Sequence, residues 1–302
     1  MKWILATLSW HWQVWLLCAL LLAPRPAAAE DRLDVVYPVL DGRDVTRQLQ
    51  FDLLRLALDK SGRAFQIRAY DDASMTNARM QEFLDDGKHL TVAWFGTSAA
   101  AEQRFWPIRI PLTRGLIGVR LLLIASGRQP EFERVRSLAD LKPFVAGQGF
   151  GWADIDILRS ASLQVRPAPM ANLFQLTALG RVDYFPLGAN EIFDLLNQHA
   201  DVAGLAVERS LALHFRNFDM FFFVGRGNAA LHQAIERGLL QAYDDGSFMA
   251  HFNRHPDIVA LRRTADLEHR RWIDVPNPTS SAETAAVPAE YWEEPPRGLV
   301  LE

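Results

Sequence analysis

A chain of 302 residues, 49% hydrophobic and 23% charged, is long enough for about two compact units and has the composition of a folded globular protein. Removing Lys2 and Arg25 with the first 29 residues takes the formal net charge from −4 to −6, which argues against nucleic acid as a partner. The only cysteine, Cys18, lies in the same segment, so residues 30–302 hold no disulfide, no thiol nucleophile and no Cys-ligated metal.

Residues 1–29 contain no acid, an early Lys2, an apolar run at 14–23 and the small residues Ala27, Ala28 and Ala29. That is the pattern of a secretory signal peptide, and the run falls short of the roughly 20 residues that span a bilayer. Cleavage after Ala29 would expose Glu30. Export of a disulfide-free chain large enough to rely on its own core suits the periplasm.

Beyond the leader, residues 33–37 (LDVVY) read as a buried strand. Residues 46–60 place Leu49, Leu53, Leu56 and Ala57 at helical spacing, and Gly62 ends the pattern. A second strand at 64–70, a helix at 75–84 and a third strand at 90–95 complete a β-α-β-α-β order, the pattern of parallel strands covered by helices. The long extended stretch 107–124 follows. A second α/β cycle then begins, with a helix start capped by Ser137, a strand at 145–146 and helices at 155–162, 170–179 and 190–197. A very apolar strand at 218–224 precedes a long helix at 228–245, for which Asn228 is the expected N-cap. Residues 276–302, rich in Pro, Ser, Ala and Glu, read as an extended, partly mobile tail.

The stretch 147–158 (GQGFGWADIDIL) is a glycine-rich loop opening a helix. It fits neither GxGxxG nor a P-loop ending, so nucleotide binding is the weaker reading. A plain strand-to-helix turn and an anion site at free helical N–H groups both remain open at this point.

These pieces in this order resemble the type II periplasmic substrate-binding proteins that bind polar amino acids. The segments that carry the resemblance are DGRDVTRQLQFDLLRLAL, PIRIPLTRGLIGVRLLLI, SLADLKPFVAGQGFGWADIDIL, LTALGRVDYFPLGANEI and the run from FFFVGRGN to FMAHF. The resemblance implies a two-lobed α/β fold. Lobe 1 would comprise residues 30–117 and 220–275, and lobe 2 residues 118–219. Two crossing hinge strands, 116–124 and 218–224, would join them, with the tail at 276–302. It implies a periplasmic monomer that closes on a small polar, carboxylate-bearing solute and delivers it to the membrane permease of an ABC transporter. The same fold admits a sensor that docks on a membrane receptor, or a dehydratase-like enzyme. The cleft residues implied are Tyr37, Trp94, Thr97, Ser98, Arg104, Gly149, Phe150, Trp152, Asn190 and Glu191, with the carboxylate at 149–152 and an aromatic wall of Trp94 or Trp152.

Two positions depart from the family pattern. The arginine that forks onto a ligand carboxylate would fall near Ala101, and Arg104 is the nearest candidate. The aspartate for the ligand ammonium would fall near Gly188, with Asn190 and Glu191 next in line. No catalytic residue, cofactor or metal is assigned. There is no GxSxG or HExxH motif, and His251 and His255 at i, i+4 have no third ligand nearby in a motif.

Overall fold

The computed structural model describes residues 32–39, 48–72, 75–293 and 300–301. The expected leader lies outside them. Among the described residues no helix is long and apolar enough to cross a membrane.

The first lobe is built on β1 (Leu33–Val39), α1 (Leu49–Lys60), β2 (Phe65–Asp71), α2 (Asn77–Asp86), β3 (Val92–Gly96), α3 (Ala99–Arg104) and β4 (Trp106–Ile108). β1 and β2 pair in parallel, and Thr91 N–H donates to Val36 O at 3.0 Å where β3 comes alongside β1. α1 buries Leu49, Leu53, Leu54, Ala57 and Leu58, one stripe of a 3.6-residue period. α2 starts where the Thr76 side chain accepts from Arg79 N–H and ends at left-handed Gly87.

The second lobe contains β5 (Val119–Ala125), β6 (Val145–Gly149), α4 (Asp154–Ser160), β7 (Gln164–Ala168), α5 (Met170–Ala178), β8 (Phe185–Gly188), α6 (Ile192–Gln198), β9 (Leu205–Val207) and β10 (Leu211–Phe215). β5, buried from Val119 to Ile124, is its spine and pairs antiparallel with β8, β9 and β10, while β6 and β7 pair in parallel. The chain then returns through β11 (Met220–Val224) to the first lobe. There it adds α7 (Ala229–Asp244), capped by Asn228 as expected, then α8 (Ser247–Arg254) and α9 (Pro256–Thr264).

The hinge is not the strand pair the sequence suggested. β11 pairs with β3 and β4, and β5 pairs only with strands of its own lobe. The chains cross instead at 110–118 and 215–220. There Leu112 N–H donates to Met220 O at 3.2 Å, and the buried Asp219 carboxylate accepts from Thr113 N–H (3.0 Å), Thr113 Oγ1 (2.8 Å) and Gly115 N–H. Apolar strand runs extend into each lobe on either side of this polar knot, and that continuity hides the crossing point in the sequence.

Two further expectations are corrected beyond α9. β12 (Arg271–Val275), expected in lobe 1, pairs in parallel with β10 in the second lobe, and β13 (Val300–Leu301) pairs with β12. Residues 276–293 are not a loose tail. Ala99 N–H donates to Thr279 O at 2.7 Å, and the hydroxyls of Ser281 and Thr284 donate to Glu102 at 2.8 and 2.7 Å. Arg114 then binds the carbonyls of Glu290 and Trp292. The segment therefore crosses from the second lobe to the first behind the hinge. Polar composition concealed this because the anchoring bonds come from partners far away in sequence.

Candidate functional site

A cavity of about 570 Å³ lies between the lobes, within the range typical of small-molecule sites. The first lobe contributes Gln48, Gln50, Asn77 and Trp94, and the crossing contributes Phe218 and Met220. The second lobe contributes Arg120, the loop 149–154, and Asn190, Glu191 and Asp194 at the start of α6. The lobes meet beside it. Gly151, at φ 76°, packs so closely on the start of α2 that a Cβ there would lie 2.6 Å from Ala78 N. A second meeting point is α6 against α9.

Of the residues expected in the cleft, Trp94, Gly149, Phe150, Trp152, Asn190 and Glu191 line this cavity. Trp94 is supported from behind by Tyr37, whose ring stacks on it at 6.3 Å, and by the edge of Phe222 at 6.1 Å. Tyr37 is thus a backing layer and not wall. Phe150 is 47% exposed, at the opening. The space over Gly149 is filled by Trp152, because a Cβ on Gly149 would sit 2.4 Å from the indole.

Thr97, Ser98 and Arg104 do not reach the cavity. Thr97 is fully buried and donates to Glu102 Oε1 at 2.8 Å, while Ser98 caps α3 by accepting from Ala101 N–H at 3.2 Å. Burial pushes the Glu102 carboxyl up, but hydrogen bonds from Thr284, Thr97, Ser281 and Arg109 outweigh it and hold it below the usual carboxylate range. With both hydroxyls committed to α3, Arg104 falls in that helix's last turn. It faces solvent and pairs with Asp85 at 3.2 Å, so Arg104 is corrected from ligand anchor to surface residue.

The arginine at the cavity is Arg120 on β5. It is 2% exposed, lies 2.7 Å from Asp154 Oδ1 and 3.8 Å from Glu191 Oε1, and its guanidinium lies over the rings of Phe215 and Phe218 at 5.3 and 5.2 Å. Burial drives the Asp154 carboxyl up, with Arg120 pulling the other way. Asp154 and Asp156 already occupy the first turn of α4, so its N-terminus carries internal negative charge. Sequence reasoning missed Arg120 and Asp154. The available signal was one charged residue inside the run VRLLLIA, since a charge in a buried strand demands a partner.

Glu191 Oε1 accepts from Gly188 N–H at 3.1 Å. Asn190 is 8% exposed, and its Oδ1 finds no donor among the described residues. No group of three or more His, Cys, Asp or Glu residues suited to a metal ion occurs among the described residues.

No protein-family model matches the chain, and no curated protein does. Solved structures do match in fold. An ancestral arginine-binding protein bound to arginine shares 16% identity at a TM-score of 0.54, over 74% of this chain and 99% of that one. An amino acid ABC transporter substrate-binding protein from Streptococcus pneumoniae, bound to L-arginine, shares 13% at 0.55, over 74% and 93%. A histidine kinase sensor domain with similarity to periplasmic binding proteins shares 15% at 0.56, over 76% and 97%. The chain has the two-lobed α/β fold of the type II periplasmic binding proteins and is similar in structure to the substrate-binding proteins of amino acid ABC transporters.

Proposed function

We propose that this chain is a periplasmic solute-binding protein that closes its two lobes on a small polar, amino-acid-like molecule and hands it to the permease of an ABC transporter. The observation that carries this reading is the cavity itself. Its size suits a small molecule, it draws walls from both lobes, and the lobes touch beside it at Gly151 and Ala78. A ligand that contacts both walls only in the closed form favours that form by its differential affinity. Trp94, Phe150 and Trp152 supply rigid apolar contact to the ligand body, and Asn190 and Glu191 supply polar contacts. A carboxylate on the ligand would lie along 149–152, beside Arg120.

The test is mass spectrometry of small molecules released on denaturing protein isolated from the periplasm, followed by calorimetry with the compound found. The expected result is one stoichiometric polar solute with micromolar or tighter affinity, on a mature chain that begins at Glu30. Protein that carries no solute and binds no amino acid or amine overturns the reading. The likeness to a sensor domain supports a second reading, in which the closed form docks on a membrane receptor. Co-purification of the loaded protein with a receptor instead of a permease would select it.

A further inference from the structure

The chain crossing at 110–118 and 215–220 contains two left-handed residues that are not glycine, Arg114 at φ 54° and Asn217 at φ 51°. Asparagine tolerates that region, whereas an arginine enters it rarely and stays only where its surroundings impose it. The C-terminal segment supplies those surroundings. The Arg114 carbonyl accepts from Glu293 N–H at 2.7 Å, and its guanidinium donates to Glu290 O at 3.0 Å and Trp292 O at 3.2 Å. The Trp292 ring covers the next residue so closely that a Cβ on Gly115 would lie 3.0 Å from it. Glu293 is also paired with Arg262 of α9 at 3.1 Å, which ties this end to the first lobe. Beside Asn217, the carbonyl of Arg216 accepts from Asn277 Nδ2 at 3.1 Å.

Between the lobes the same segment is short and stiff. Val275 is the last residue of β12 in the second-lobe sheet, and Thr279 O accepts from Ala99 N–H in the first lobe at 2.7 Å. Only Pro276, Asn277 and Pro278 lie between them, a reach of at most about 14 Å from Val275 to Thr279. Each proline fixes its own φ and restricts the residue before it. Asn277 Oδ1 accepts in addition from Thr279 N–H at 3.2 Å and Thr279 Oγ1 at 2.7 Å. All these bonds are made while the lobes touch at Gly151 and Ala78.

We propose that residues 276–293 are a hinge brace that holds the lobes closed before any solute arrives. Parting the lobes rotates the backbone at the crossing, so Trp292 and Glu293 must first leave Arg114, and their release is the step that opens the cleft. The brace acts on the empty protein, so the inference goes beyond the solute-binding reading and does not rest on it.

The test is the interlobe distance by pulsed electron paramagnetic resonance. Spin labels are placed through Lys88→Cys, in the exposed turn after α2, and Leu179→Cys, exposed at the end of α5. The protein also carries Cys18→Ser, so that only these two thiols react. It is denatured, dialysed and refolded to strip any bound solute. The parent should show one short distance, with any longer component below about a tenth of the population. Trp292→Ala/Glu293→Ala should make the longer component the major one. Pro276→Gly/Pro278→Gly, which touches nothing at Arg114, should shift the population the same way by loosening the span, and it carries the test if the first variant loses its native circular dichroism spectrum. An empty parent that is already mostly at the longer distance overturns the proposal. So does a folded variant of either kind whose distances superimpose on those of the parent. None of these outcomes bears on whether a solute binds, so the solute-binding reading stands or falls separately.

Discussion

Gly151 and Ala78 meet across the cleft: a Cβ on Gly151 would lie 2.6 Å from the backbone nitrogen of Ala78 and 3.1 Å from its Cα. No rotamer can relieve a contact between a Cβ and a backbone. Gly151 also has φ 76°, a conformation that costs other residues about 1–2 kcal/mol. Gly151→Ala should therefore oppose closure more than folding. The expected outcome is affinity for the co-purifying solute at least tenfold weaker, a larger radius of gyration by small-angle scattering in the loaded state, and a midpoint of urea unfolding changed only modestly. Unaltered affinity would mean that the bound lobes do not meet at this point.

At the hinge, burial pushes the Asp219 carboxyl up to about 6 from an ordinary 3.8, against hydrogen bonds from Thr113, Gly115 and Met220 that favour its charged form. The native state therefore holds this proton more firmly than the unfolded chain does. Its contribution to stability is fully present below about pH 4 and is lost as pH rises to about 6, on the order of 3 kcal/mol in all. Asp219→Asn removes that dependence, although it costs about 2 kcal/mol overall through hydrogen bonds it cannot accept. Unfolding free energies measured from pH 4 to 7 should rise more steeply with pH in the variant than in the parent. Parallel curves would show that the carboxyl titrates normally.

Much of the fold was legible because its signals are local. The α1 stripe, the cap at Asn228 and the apolar strands depend on neighbours within one turn or one strand. The cavity aromatics and the Asn190–Glu191 pair were legible through the order of the surrounding segments. What escaped depends on contacts between residues distant in sequence. Arg120 looks like part of an apolar strand until Asp154 arrives from α4, and residues 281–284 look like a linker until Glu102 supplies the acceptor. Arg104 was misplaced because the Ser98 cap and the Thr97–Glu102 bond turn α3 so that its last residue faces solvent.

Glu102 is 6% exposed and gathers Thr97, Arg109, Ser281 and Thr284, so it is the point at which residues 276–293 are fastened to the first lobe. Hydrogen bonds to a charged group contribute about 1.5–3 kcal/mol each when isolated, with losses that overlap within one network. Glu102→Ala should destabilise the protein by about 2–4 kcal/mol and open the C-terminal segment first. Limited proteolysis with mass mapping should find new cuts between residues 276 and 293. Cuts distributed as in the parent would mean that the segment is held chiefly elsewhere, as at Arg114.

The two arginines separate surface from site. Arg104 and Asp85 form a pair whose side chains are 40% and 54% exposed, and such pairs contribute about 0–1 kcal/mol. Arg104→Ala should leave solute affinity unchanged and shift stability by no more than about 0.5 kcal/mol. Arg120 and Asp154 are 3% and 4% exposed at 2.7 Å. Removing one partner of such a pair strands the other as a buried charge, at about 3–5 kcal/mol. Arg120→Met should incur that loss at neutral pH. Because Asp154 can escape by taking a proton, the loss should shrink as pH falls. Arg120→Met with Asp154→Leu should recover most of it, since an apolar pair of similar volume is often neutral or better. Urea denaturation of the two single variants and the double variant completes the cycle. A coupling energy near zero would show that these groups do not act as a pair. Weakened solute binding in Arg104→Ala would return the ionic anchor to the first lobe.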